Sequence, residues 1–315
     1  MRFYTYVTSL IRDLLIEHRD GTAKSYQSTL YSAVRYFGRD ATLEDIYTRE
    51  QLIHYQSWLR GHNCCWNTVS FYMRGLQRFC NLARQDGVFS APTNLFSEVF
   101  TGYDPTVKRA LDVDTIVLLE DADFSHNAGL AFSRDLFMLS YYLHGISFVD
   151  LAFLRKSDMK NGMITYHRRK SGSLINTPIN NDVYQIIRRY AHLTNNTPYL
   201  LPIILCPGEN EYRQQQSALR SHNRRLKRIA VELGIKETLT SYTARHSWAT
   251  NAYHFGVPIS TISQALGHRA ESVTRIYLSL LDMCVLENAN EIIQKALYAR
   301  REARCRFKTK VSIST

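Results

Sequence analysis

The 315 residues, 45% of them hydrophobic and 21% charged, provide material for two ordinary domains, each with a core of its own. No stretch approaches the roughly 18 uninterrupted apolar residues of a membrane span. An arginine and a carboxylate inside the first apolar stretch argue against a secretory leader, so a cytoplasmic setting without a membrane partner is expected. The net charge of +11 points to a polyanionic partner, nucleic acid foremost.

In chain order, an opening helix is expected near residues 3–18. A second follows Thr22, with Tyr26, Leu30, Val34 and Phe37 on one stripe and Gly38 at its end. Thr48 and Gln51 have capping-box spacing ahead of Leu52, Tyr55 and Leu59. Asn67 opens a long helix carrying Val69, Tyr72, Leu76, Cys80 and Ala83, stopped at Gly87. Arg74 and Arg78 lie one turn apart on it, placed either to reach DNA phosphates or to form a solvated face.

Two prolines and a glycine then break the periodicity. The expected division is a helical DNA-binding domain over residues 1–90, a linker over 91–108, a second domain over 109–285, and a C-terminal helix with a basic tail over 286–315. Eleven Lys and Arg stand against ten Asp and Glu in residues 1–105, but twenty-one against fourteen in 106–280, so the basic excess lies in the second domain. That domain starts with an apolar helix, 133–145. A β-hairpin follows: strand GMITYHRR, a turn K-S-G-S at 170–173, and strand LINTPI. Arg168 and Arg169 on the hairpin are expected to face DNA, with a solvated strand edge as the alternative. A basic amphipathic helix over 220–234 turns Leu226, Ile229 and Leu233 inward and presents Arg224 and Arg225 for DNA. Helices over 241–256 and from Pro258 to Gly267 come next, and Tyr277 falls on helical pattern after them. The six cysteines (Cys64, Cys65, Cys80, Cys206, Cys284, Cys305) show no C-x-x-C pair, so reduced thiols and no metal site are expected.

Cutting a DNA phosphodiester with a tyrosine nucleophile needs cations for the non-bridging oxygens and an acid for the departing hydroxyl. Arginine suits the first task through its bidentate fork, and a lysine on a turn suits the second. Neither task calls for a metal or nucleotide cofactor, and no phosphate-binding G-x-x-x-x-G-K-[ST] loop or H-E-x-x-H pair is present.

The second half resembles the tyrosine recombinases, or phage integrases. Lys170 stands on the hairpin turn eight residues before Pro178, the box S-Y-T-A-R-H-S-W-A-T carries Arg245, A-L-G-H carries His268, and Tyr277 follows that histidine by nine residues. The helical first hundred residues resemble the family's core-binding domain. The resemblance implies a mainly α fold with a small β-hairpin or sheet, a helical core-binding domain joined to an α+β catalytic domain. It further implies that Tyr277 attacks the scissile phosphate to form a 3′-phosphotyrosyl link and that Lys170 protonates the 5′ leaving oxygen. Arg245 and His268 would bind the phosphoryl oxygens, and a tetramer held through the C-terminal tail would complete exchange on two DNA sites, with room for an accessory DNA-bending protein.

Two positions depart from the family pattern. Ser147 stands where the first catalytic arginine belongs, and Tyr242 stands where the histidine of H-x-x-R belongs. His144, one turn earlier if the segment is helical, is placed to compensate for Ser147 with an imidazolium, whereas Arg134, the nearest upstream arginine, lies thirteen residues back and would not share Ser147's face. The expected function is therefore site-specific recombination of the invertase or integrase type. The alternatives are a catalytically degenerate DNA-binding accessory protein and, less favoured, a topoisomerase-like relaxing enzyme.

Overall fold

The computed structural model describes residues 1–90, 92–104, 110–268, 270–278 and 294–295. The chain divides into two units, Met1–Val107 and Lys108–Thr315. The first is helical throughout: α1 (Phe3–Ile16), α2 (Asp20–Phe37), the single turn α3 (Leu43–Ile46), α4 (Arg49–Gly61) and α5 (Trp66–Gln85). Thr48 caps α4 by accepting the Gln51 N–H at 3.2 Å. Helix α2 starts two residues ahead of Thr22, at Asp20, and Arg19 precedes it without a side-chain cap. The expected stripes meet in one apolar core, in which Leu52, Tyr55, Leu59, Val69, Leu76 and Phe79 are all but inaccessible. Leu95, Phe96 and Val99, from the stretch read as linker, also belong to this core.

The second unit contains α6 (Val113–Asp121), α7 (Ala128–Tyr142) and α8 (Phe148–Phe153). Next come strands β1 (Met159–Lys160), β2 (Met163–His167) and β3 (Leu174–Pro178), and then α9 (Asn181–Tyr190), α10 (Glu211–Glu232), α11 (Ser241–His254), α12 (Ile259–Ala265) and α13 (Glu271–Leu278). The strands form an antiparallel sheet in the order β1-β2-β3, with His167 opposite Leu174 as the last pair before the turn. This is the mainly α architecture with a small sheet that the sequence implies. Helix α10 begins nine residues before the expected start at 220, because Asn210 accepts the Arg213 N–H and caps it there.

Helix α11 touches α7, α10, α12 and α13. Its buried positions are mostly small: Thr243, Ala244, Ser247, Ala249 and Asn251. Small side chains let several helices approach one axis, and they leave the one large buried residue, Arg245, at a junction of neighbours. Tail residues 286–315 lie outside the described residues apart from 294–295. The expected tail-mediated assembly therefore has no counterpart in this description. No helix among the described residues is long and apolar enough to cross a membrane.

Candidate active site

The site is built where the L-G-H turn, the R-H-S-W-A-T helix and the hairpin tip converge. Arg245 is 2% exposed. Its guanidinium donates to the Gly145 carbonyl at 2.8 Å and the Leu266 carbonyl at 2.6 Å, and it lies 3.1 Å from Nε2 of His268. Gly145 is indispensable to that approach. A Cβ there would sit 2.7 Å from the Arg245 Cα, and its φ of 73° is one that side-chain-bearing residues rarely adopt.

The hairpin tip closes on the carbonyl next to that of Leu266. Arg168 donates to the Gly267 carbonyl at 3.0 Å, as do the hydroxyls of Ser171 and Ser173 at 3.2 and 3.3 Å. Gly267 too must lack a side chain, since a Cβ would fall 2.7 Å from Ile175 Cδ1 and 3.2 Å from Arg168 Cδ. Two guanidiniums thus grip consecutive carbonyls of one turn, and Lys170, exposed on the hairpin, stands close enough to act electrostatically on His268.

Asp150, 3% exposed, accepts the Arg169 N–H at 2.9 Å through one oxygen and the Ser147 hydroxyl at 2.7 Å through the other. The start of α8 is thereby fastened to the base of the lysine turn. Ser147 itself is the N-cap of α8.

The pocket is electropositive, with Arg245, Arg168 and Lys170 all acting on His268. His268 is pushed down to about 4, by burial first and then by Arg245, Arg168 and Lys170, so its ring is neutral at ordinary pH. Arg245 is lowered to about 10, again by burial first and by Arg168 next, and remains charged. The Nε groups of both arginines are buried with no hydrogen-bond partner among the described residues. Burying a guanidinium this way costs several kcal/mol unless an anion answers it. A phosphate supplies that answer in bidentate geometry.

The expected site residues sort as follows. Arg245, His268 and Lys170 come together. Tyr277 lies in α13, one turn beyond Thr274, whose buried hydroxyl is 2.8 Å from His268 Nδ1. Tyr242 is 45% exposed and packs edge-on against His246. Arg74, Arg78, Arg169 and Arg224 are exposed, and Arg225 is half-buried against Gly129 at the start of α7. Arg169 also stacks over Phe153 at 3.8 Å.

Two expectations need correction. Arg168 does not face outward: it is 8% exposed and part of the pocket. Alternation along β2 contains the signal, because residue 168 shares a side of the strand with buried Ile164 and half-buried Tyr166. His144 does not continue a helix toward Ser147. It sits at φ 57° in a turn, its ring tilted at 39° against Trp248, and burial lowers its pKa, which opposes an imidazolium. Arg134 is tied to the Ala122 carbonyl at 3.1 Å and to Asp135 at 2.8 Å, joining α6 to α7 away from the pocket. Asp150 and Thr274 were not singled out by sequence. Asp150 was legible as the fourth residue of the S-x-x-D cap Ser147–Asp150, Thr274 only from the folded geometry.

Comparison with known proteins bears on the family and the fold. Residues 114–283 match the model of the phage integrase family, and residues 2–96 match the phage integrase SAM-like domain. The tyrosine recombinase XerD of Listeria innocua serovar 6a is 26% identical over 272 residues, covering 81% of this chain and 86% of the relative. The XerD of Pseudomonas aeruginosa is 22% identical over 267 residues, covering 82% and 86%. Among solved structures, lambda integrase (75-356) as a dimer bound to a COC′ core site superposes with a TM-score of 0.64 at 15% identity, covering 88% of this chain and 95% of that one. The Tn1549 transposon integrase in complex with transposon right end DNA gives 0.62 at 14% identity, covering 94% and 99%. The chain therefore belongs to the phage integrase family, the tyrosine recombinases.

Proposed function

We propose that this recombinase cuts and rejoins duplex DNA through a 3′-phosphotyrosyl intermediate and that its active site is complete despite Ser147. The observation that carries the reading is the pair of buried guanidiniums, Arg245 and Arg168, on neighbouring carbonyls beside His268 and Lys170. In this reading Arg168 supplies the second fork that the family takes from the position of Ser147.

The phenolic oxygen of Tyr277 attacks phosphorus, the bond to the 5′ oxygen breaks, and that oxygen takes its proton from Lys170. The two forks meet the charge growing on the non-bridging oxygens, a task at which one preorganised donor contributes about 10²–10³ in rate. The ester energy stays in the phosphotyrosine, so a 5′ hydroxyl of a second strand reseals the DNA without a nucleotide and without a metal ion. Arg74, Arg78, Arg169, Arg224 and Arg225 contribute backbone contacts that position the duplex. Assembly as a tetramer, with the tail bridging protomers, draws support from the lambda integrase tetramer bound to a Holliday junction. Inverted repeats flanking an invertible segment are the favoured target.

The test uses nicked duplexes carrying inverted repeats from beside the gene, followed by a denaturing gel. A protein–DNA adduct that vanishes in Tyr277→Phe is expected. Tight binding with no adduct would return the chain to the class of accessory DNA-binding proteins.

A further inference from the structure

The turn that carries Lys170 is closed on itself. The Arg168 N–H donates to the Ser173 carbonyl at 2.8 Å and the Gly172 N–H to the Arg168 carbonyl at 2.7 Å, so residues 168–173 form one loop with the lysine inside it. A single acceptor collects three donors from that loop. The Gly267 carbonyl receives Nη1 of Arg168 at 3.0 Å and the hydroxyls of Ser171 and Ser173 at 3.2 and 3.3 Å. A carbonyl only accepts, so the direction of these bonds is fixed, and its two lone pairs are shared among the three donors. The two hydroxyls lie 3.0 Å apart, each placed to take up the carbonyl when the other turns away. Ser171 makes a further contact of its own, and Ser173 still reaches the carbonyl whichever way that hydrogen turns.

The place of the acceptor matters. Gly267 lies between Leu266, whose carbonyl holds Arg245, and His268. Lys170 is exposed, so its reach is set by where the backbone of its loop is held. We propose that Ser171 and Ser173 are positioning residues for Lys170: their hydroxyls latch the lysine turn onto the Gly267 carbonyl and so seat the acid beside Arg245 and His268. The catalytic consequence rests on the strand-transfer reading above. When the bond from phosphorus to the 5′ oxygen breaks, that oxygen keeps the electron pair and takes a proton from the Lys170 ammonium, which is left as the amine. Without the hydroxyls, Arg168 alone holds the loop to Gly267. The loop then loosens and the acid is out of reach for part of the time, while Arg245 and His268 keep their places.

The test changes the leaving atom. Adduct formation is followed in single turnover on two versions of the nicked duplex, one ordinary and one with sulfur in place of the 5′ bridging oxygen at the scissile phosphate. A thiol gives up its proton at about pH 8.5, so sulfur leaves as the thiolate and needs no acid. Lys170→Ala calibrates the assay, with a loss of about 10²–10⁴-fold expected on oxygen, the contribution of a positioned acid, and recovery on sulfur. The double variant Ser171→Ala with Ser173→Ala is expected to lose about 10–100-fold on oxygen, part of that contribution, and to approach the wild-type rate on sulfur. Either serine replaced alone is expected to lose about two- to fivefold on oxygen, because the other hydroxyl and Arg168 still reach the carbonyl.

A double variant as fast as the wild type on oxygen overturns the proposal. So does one that is equally slow on both duplexes, the result of a general loosening that does not act through the lysine. Should the double variant fail to fold, the single variants decide in the same way: a loss confined to oxygen supports the latch, and equal losses on both duplexes overturn it. A wild type that binds yet forms no adduct on either duplex overturns the strand-transfer reading instead. A Lys170→Ala protein that sulfur does not rescue overturns the lysine's role as the acid, and the latch with it.

Discussion

The two units bury very different chemistry. In the first, the buried side chains among the described residues carry no charge: their polar atoms are hydroxyls, those of Thr29, Ser70 and tyrosines such as Tyr47, set among aromatic and aliphatic groups. The second buries Asp135, Asp150, Arg168, His222 and Arg245 alongside a larger apolar core. Asp135 is answered by Arg134, Arg189 and Tyr190, so that cluster is structural. Among the described residues neither Arg168 nor Arg245 is ion-paired with a carboxylate: they hold the Gly145, Leu266 and Gly267 carbonyls, and Arg245 also reaches His268. Such an arrangement is retained at a loss of stability when a ligand supplies the missing charge. The first unit is packed for stability, and the second gives some of it up to keep an anion site ready.

The largest expected effect separates chemistry from folding. Arg168→Ala should slow adduct formation by about 10²–10³ while leaving the protein folded and bound to duplex. Arg168→Lys should recover little, because an ammonium cannot reproduce the fork. Unaltered cleavage in both variants would return Arg168 to a structural role and reopen the question of what replaces the arginine missing at Ser147. In the first unit, Phe79→Ala should cost about 3–5 kcal/mol in a urea titration. At a temperature where the variant is still folded, its single-turnover adduct rate should equal the wild type's, and a large drop there would blur the comparison.

Next in size is Asp150→Ala, expected to cost about 1–3 kcal/mol because it strands the Ser147 hydroxyl and the Arg169 N–H. Amide exchange over residues 169–173 should speed up in this variant, and unchanged protection there would separate Asp150 from the lysine turn. Restoring the family residue with Ser147→Arg removes the cap of α8, and a loss of about 1 kcal/mol with no gain in cleavage is expected. A faster enzyme would show that the pocket had room for a third guanidinium.

The smallest expected effect is a difference in pH response. His268 and His222 have folded pKa values of about 4 and about 3, below the ordinary 6.5, with burial the leading cause for each. The unfolded chain takes up these protons first, so the stability of the second unit is full above pH 6.5 and declines as pH falls toward 4. His18, His54 and His62 of the first unit are exposed. Segment-resolved hydrogen exchange at pH 7, 5.5 and 4.5 should therefore show the second unit losing protection ahead of the first, and His222→Phe, which keeps the ring stacked on Phe148, should narrow the gap.

Much of the fold was legible because local chemistry and tertiary packing agree. Thr48 caps α4, and the stripe from Val69 through Leu76 to Cys80 and Ala83 is buried as its spacing requires. The start of α10 was misplaced because its polar first turns carry little apolar periodicity. His144 was misjudged because a residue three before a cap reads as one helical turn, whereas the chain passes through left-handed geometry at 144 and 145 to bring Gly145 onto Arg245.

By itself, the sequence determined most of the helices and the hairpin, the order of the chemical groups and their family, since these depend on periodicity, capping and motif spacing within a few residues. Only the tertiary structure decided which of three consecutive basic residues enters the pocket. Arg168, Arg169 and Lys170 differ little in charge, but the strand's pleat and the Gly267 turn bury the first, leave the second on Phe153 and leave the third on the exposed turn. Burial is a property of what covers a residue, and what covers Arg168 comes from 99 positions further along the chain.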